Sequence, residues 1–186
     1  MKSRVLICLL TLSIILTAGC TTPPKGLKPV EHFQLPRYLG TWYEIARLDH
    51  SFERGLDNIT ASYYLKPDAS VSVVNRGRDT KTGQYSTARG TAVLIDKPDV
   101  AALKVSFFKP FWAAYYVIAL DKQDYSWAMV TSSSRKYLWI LSRTPAMDPV
   151  VLNELLIQAK DWQFETDKLI FPVQDEKKET QPAEEN

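Results

Sequence analysis

Side chains able to do covalent or metal chemistry are scarce in this chain. Cys8, Cys20, His32 and His50 are its only cysteines and histidines. His32 falls in a linker-like stretch and His50 in a polar loop, and no His, Cys and Asp cluster has the spacing of a metal site. No Ser, His and Asp set and no Gly-rich phosphate loop has a supporting context either. The chemically marked stretch is Gly40-Thr41-Trp42-Tyr43-Glu44-Ile45-Ala46-Arg47. Its alternation is that of a strand, with Trp42, Glu44 and Ala46 on one face and Tyr43, Ile45 and Arg47 on the other. Gly40, without a Cβ, allows a tight turn into it.

Cys20 has a different context. Lys2 and Arg4 lead an apolar run from Val5 to Leu16, and Thr17-Ala18-Gly19-Cys20 follows. The run is too short to span a bilayer and ends in small residues, as a signal peptide does. The ending resembles the lipobox of bacterial lipoproteins, although Thr17 stands where leucine is usual and Leu16 lies one place further out. The resemblance implies that residues 1–19 are removed and that Cys20 is lipidated as the mature amino terminus. Cys8 would leave with the signal, so no intramolecular disulfide is possible. Thr21, where an Asp would favour inner-membrane retention, points by the same resemblance to the outer membrane.

Lys and Arg number 23 against 21 Asp and Glu. Lys2 and Arg4 would leave with the signal, so the mature chain is formally neutral and carries no footprint for nucleic acid. Residues 20–36, opening on Thr21-Thr22-Pro23-Pro24-Lys25-Gly26, read as a lipidated terminus and polar tether. Residues 174–186 lack bulky apolar side chains from Asp175 onward and read as a disordered tail.

Between them, short strands alternate with turn residues, an all-β rhythm. Strands are expected at about 40–48, 58–65, 71–75, 85–95, 102–109, 113–120, 125–132 and 137–143. Short connections make successive strands antiparallel neighbours. Closure into an up-and-down barrel would remove both sheet edges, and a sandwich is the competing topology. Then the period changes. Asp148 offers an N-cap, Pro149 follows, and Val151, Leu152, Leu155, Leu156, Ala159 and Trp162 form one apolar stripe, so an amphipathic helix packs outside. Leu169-Ile170-Phe171 reads as a short final strand ended by Pro172.

Over residues 30–173 this constellation resembles the lipocalins, and within them the bacterial outer-membrane lipoproteins related to apolipoprotein D. The carriers are Gly40-Thr41-Trp42 and the arginine of Leu141-Ser142-Arg143. Of the family's Thr-Asp-Tyr turn only Asp121 is kept, within Leu120-Asp121-Lys122, with an Asp-Tyr pair at 124 and 125. The resemblance implies an eight-stranded antiparallel barrel in residues 37–173, large enough for one small ligand. It also implies that Arg143 lies on the Trp42 ring at the closed end, a cation–π contact of about 0.5–2 kcal/mol.

The family register implies an apolar, aromatic lining. Glu44 and Ala46 face inward, as do Ile59, Ala61 and Tyr63; Val73 and Asn75; Ser86, Ala88 and Ala92; and Leu103, Val105 and Phe107. Later strands add Tyr115, Val117 and Ala119; Ala128 and Val130; and Tyr137, Trp139 and Leu141. Glu44, Tyr63, Val105, Phe107, Tyr115, Val117, Tyr137 and Trp139 are the ligand-contact candidates, each of which could instead be core filler. An inward Glu44 must bond a neighbour or meet a polar head group. The implied function is a lipid-anchored, periplasm-facing outer-membrane protein that binds, stores or carries a fatty acid or lysophospholipid, with no cofactor. A structural envelope protein with a filled barrel is the alternative. Lipocalin isomerases use a cavity cysteine that the mature chain lacks, so catalysis is not expected.

Overall fold

The computed structural model describes residues 22–95 and 97–175. The signal segment, Cys20 and the chain from Glu176 onward lie outside the described residues. Eight strands close on themselves in sequence order: β1 (Gly40–Arg47), β2 (Leu56–Leu65), β3 (Val71–Asp79), β4 (Tyr85–Leu94), β5 (Ala102–Ser106), β6 (Ala113–Leu120), β7 (Trp127–Thr131) and β8 (Leu138–Ser142). Every pairing is antiparallel, and β1 pairs with β8. The sandwich is therefore excluded.

Helix α2 (Pro149–Asp161) starts where Asp148 accepts a hydrogen bond from the Val150 N–H at 2.7 Å. Its Leu155 and Ala159 are buried, with Val151, Leu152, Leu156 and Trp162 alongside. They pack on outward-facing barrel residues that include Tyr116, Met129, Leu138 and Ile140. The expected final strand is a single bridge, Ile170 to Arg47.

Of the three β-bulges in the barrel, in β1, β2 and β6, those in β1 and β6 change the facing of residues expected in the lining. In β1 the partners step from Glu44 and Leu141 to Ala46 and Ile140, so Ile45 is an extra residue. A one-residue insertion inverts everything beyond it. Ala46, expected in the lining, joins the outer cluster beneath α2, and Arg47, expected outward, lies opposite Trp139 and is buried. The bulge at Ile118 in β6 likewise turns Ala119 outward.

The segments flanking the barrel are more ordered than their composition suggests. Leu27 and Phe33 are buried, the Val30 N–H bonds the Val117 carbonyl at 2.9 Å, and a one-turn helix, α1 (Leu35–Tyr38), caps the closed end. Much of the expected tether thus belongs to the globule. At the other end of the chain, β1 and β2 pair only from Gly40–Tyr43 to Thr60–Tyr63, and residues 170–175 fill the gap where they diverge. The Gln174 amide donates to the Glu44 and Ile59 carbonyls at 2.8 and 2.9 Å, and the Asn58 N–H donates to the Val173 carbonyl at 2.8 Å. The Asp175 N–H donates to Asn58 Oδ1 at 2.6 Å. Gln174 and Asp175, expected in the disordered tail, are ordered because they satisfy backbone groups that the splayed strands leave unpaired.

Candidate functional site

The closed end is built around Trp42. Its ring is wholly buried, its indole N–H donates to the Tyr38 carbonyl at 2.8 Å, and the Arg143 guanidinium lies 3.8 Å from the ring centroid. Arg143 also donates to the carbonyls of Thr41, Arg37 and Tyr125 at 3.0, 2.7 and 3.2 Å. One planar cation thereby ties β1, α1 and the β6–β7 turn together. Gly40 is required because its φ is +90°, a left-handed conformation that strains any L side chain.

Asp121 organises the β6–β7 turn. Its carboxylate accepts from the Gln123 and Ser126 N–H groups and from the Ser126 hydroxyl at 3.1, 3.2 and 2.6 Å. Burial alone would push its carboxyl up, but these donors outweigh burial and hold it below its ordinary range. The departure from the family tripeptide around Asp121 therefore leaves the turn intact.

Above the plug lies a cavity of about 590 Å³, open at the end where the β1–β2, β5–β6 and β7–β8 loops meet. Its floor carries three tyrosines. The Tyr115 hydroxyl is 2.7 Å from that of Tyr38 and 2.9 Å from that of Tyr63. Burial pushes the Tyr63 phenol up to about 12 and the other two well above their ordinary value, so all three stay neutral. Ile59, Ala61, Val73, Val105, Val130 and Leu141 supply apolar walls, and Phe52, Phe107, Tyr137 and Trp139 supply the aromatic rim. Gly90 makes room for that rim: a Cβ on it would meet the Phe107 ring at 3.0 Å and the Ser106 carbonyl at 2.8 Å.

One wall is polar. Arg47 Nη1 donates to Glu44 Oε1 at 2.6 Å and Nη2 to the Glu53 carbonyl at 2.9 Å. Glu53 Oε2 accepts from the Trp139 indole at 3.0 Å and lies 3.1 Å from His50 Nε2. Burial, then the nearby Glu53 charge, raise the Glu44 carboxyl well above its ordinary value against the pull of Arg47, so Glu44 tends to hold a proton. Burial acts on Glu53 too, but donation from His50 and Trp139 holds it below its ordinary value. Asn75, two strands away from Glu44 on β3, presents a buried Oδ1 without a hydrogen-bond donor.

The Lipocalin-like domain family matches residues 33–174, most of the described chain and the whole of this barrel. The chain belongs to the lipocalins. It is 44% identical over 165 residues to "Outer membrane lipoprotein Blc" of Vibrio cholerae, covering 89% of this chain and 96% of that protein. Identity to the protein of the same name in Escherichia coli K12 is 45% over 161 residues, covering 87% and 90%. Bovine apolipoprotein D is 34% identical over 144 residues, covering 73% and 72%. Among solved structures, insecticyanin from the tobacco hornworm superposes with a TM-score of 0.64 at 21% identity, over 83% of this chain and 89% of that one, a likeness of fold.

Within this lipocalin barrel, seven of the eight expected ligand contacts line the cavity: Glu44, Tyr63, Val105, Phe107, Tyr115, Tyr137 and Trp139. Val117 does not. It faces inward but is wholly covered in the core beneath the floor, where the Val30 segment closes over β6. Phe107 and Tyr137 sit in loops just beyond β5 and β8 rather than within the strands. Missed altogether were Arg47, the buried partner of Glu44 that the bulge hides, and the cavity-lining His50, Phe52, Glu53 and Trp112, which come from loops where strand alternation gives no direction. Among the described residues no group of three or more His, Cys, Asp and Glu is placed to hold a metal ion.

Proposed function

We propose that this lipocalin is an outer-membrane lipoprotein, anchored through Cys20, that carries a single-chain amphipathic lipid, a fatty acid or lysophospholipid, in its open-ended cavity. The observation that carries the reading is the division of the cavity wall. Aliphatic and aromatic side chains surround most of the space, while Glu44, His50, Glu53 and Asn75 concentrate polar groups toward one part of it. That is the profile of a pocket for a molecule with a long apolar body and one polar end. The relatives named outer membrane lipoproteins, and the cysteine after a signal-like run, support the location.

Binding is non-covalent on this reading, driven by apolar burial at about 25 cal/mol per Å² before association costs. A carboxylate head would meet a wall already holding Glu53, whereas a zwitterionic head offers a cation to it. A lysophospholipid therefore fits the wall better than a fatty acid. The test is a fluorescence titration of delipidated protein with lysophosphatidylethanolamine and with palmitate. Saturable change of the Trp139 signal by the lysophospholipid, at lower concentration than by palmitate, supports the assignment. Native circular dichroism with no saturable response to either lipid would overturn it.

A further inference from the structure

The rim of the cavity is more apolar than a solvent-facing rim should be. Phe108 and Phe111 are 77% and 76% exposed, Phe52 46%, Trp112 41% and Tyr137 39%. They come from three separate loops, β1–β2, β5–β6 and β7–β8, yet all sit at the open end beside the cavity entrance. Scattered exposed apolar residues are ordinary, but several large aromatics gathered around one opening are a contact surface. Lys104 Nζ lies 5.0 Å from the Trp112 ring and Lys109 is exposed between Phe108 and Phe111, so cations flank the aromatics. Aromatic rings with adjacent lysines suit the boundary between headgroups and acyl chains.

A second, independent observation says which surface covers this rim. The amino-terminal segment begins at the same end: the Lys25 carbonyl accepts from Arg135 Nη2 of the β7–β8 turn at 2.7 Å. From there the chain runs away along the barrel to α1 at the closed end. Lys25 is only five positions from Cys20. Those five steps, fully extended, reach at most about 18 Å, less than the length of an eight-stranded barrel laid end to end with its loops. An acyl anchor on Cys20 therefore holds the open end, not the closed end, against the bilayer.

We infer that the protein works mouth-down: Phe52, Phe108, Phe111, Trp112 and Tyr137 seat the cavity entrance in the phospholipid surface that holds the Cys20 anchor. A single-chain lipid then passes between bilayer and cavity without its acyl chain crossing water. This rests on the anchored-carrier reading above but adds an orientation that the reading does not require.

The experiment uses the mature lipoprotein reconstituted in vesicles of phosphatidylethanolamine and phosphatidylglycerol. A small fluorophore is attached in one preparation at Lys109→Cys, in the rim, and in another at Lys122→Cys, in the exposed closed-end turn. Mouth-down docking gives several-fold stronger quenching of the rim label by spin-labelled phospholipid, and stronger quenching of the closed-end label by aqueous iodide. Adding Phe108→Ser and Phe111→Ser to the rim-labelled protein should return that label toward iodide access while the protein stays anchored and folded. Equal lipid quenching at the two positions, or stronger quenching at the closed end, overturns the orientation. A rim label shielded from both quenchers, with shielding lost on dilution of protein among vesicles, overturns it in favour of contact between two copies. Cavity filling is read separately through Trp139, so a bilayer-seated rim above a cavity that never fills supports the orientation and defeats the carrier reading.

Discussion

The two ends of the barrel are made from similar residues used in opposite ways. At the closed end Trp42, Tyr38 and Tyr125 are buried, and Arg143 spends its donors on three backbone carbonyls. At the open end Phe108, Phe111 and Trp112 stand in solvent, and the Asn75 amide oxygen is buried without a hydrogen bond. Satisfied polar groups around packed rings stabilise and rigidify, whereas exposed rings around unsatisfied polar groups leave binding capacity unspent. Stability and recognition are thus assigned to separate ends of one barrel, and substitutions at each end should separate the two properties.

The largest expected effect is on the closed end. Trp42→Ala should lower stability by about 3–5 kcal/mol, read from denaturant midpoints, through lost burial and the cavity left behind. Arg143→Lys keeps a cation near the ring but loses the fork that reaches three carbonyls, and about 1–3 kcal/mol should go with it. Ligand affinity measured well below either midpoint should be little changed. A large loss of affinity with unchanged stability would break the separation of the two ends.

The polar wall between the ends should show an intermediate, pH-dependent effect. Glu44 has a raised folded-state value, so the stability it contributes is present below about 4.3, its unfolded value, and is lost as pH rises through the folded value. Glu53 has a lowered one, so its contribution is present above about 4.3 and is lost as pH falls through the folded value. Glu44→Gln should accordingly gain on the parent protein as pH rises, and Glu53→Gln should lose on it. Thermal unfolding from acid to mildly alkaline pH measures both slopes, and slopes of the same sign would show that the two carboxyls are wrongly assigned.

The smallest expected effect on stability is at the rim. Phe108→Ser with Phe111→Ser should change the unfolding free energy by no more than about 0.5 kcal/mol per site, because these rings are exposed. The rate of lipid transfer from vesicles should nevertheless fall. An unchanged transfer rate would remove the rim from the functional account.

Much of this contrast was legible in the sequence. Trp42 and Arg143 identified the plug through the family resemblance they carry, and turn residues spaced along the chain gave antiparallel strands in meander order, with closure into a barrel weighed against a sandwich. The polar wall was not legible, and the reason lies at Ile45. Ile45 and Ala46 are both apolar and suit either face, so alternation cannot reveal that one of them is an inserted residue. Arg47 was therefore turned to the wrong side, and the partner of Glu44 was missed. Gln174 and Asp175 were hidden for a different reason: their order depends on carbonyls and side chains more than a hundred positions away. The loop aromatics carried no periodic signal, and only the closed topology brings them to one opening.

Native mass spectrometry of the delipidated protein mixed with lysophosphatidylethanolamine tests the central claim most directly, with Val105→Trp, which places a bulky ring in the cavity, as its counterpart. The account predicts a one-to-one adduct for the parent protein and none for Val105→Trp with its fold intact by circular dichroism. An adduct that persists in a folded Val105→Trp protein, or no adduct on the parent, would contradict it.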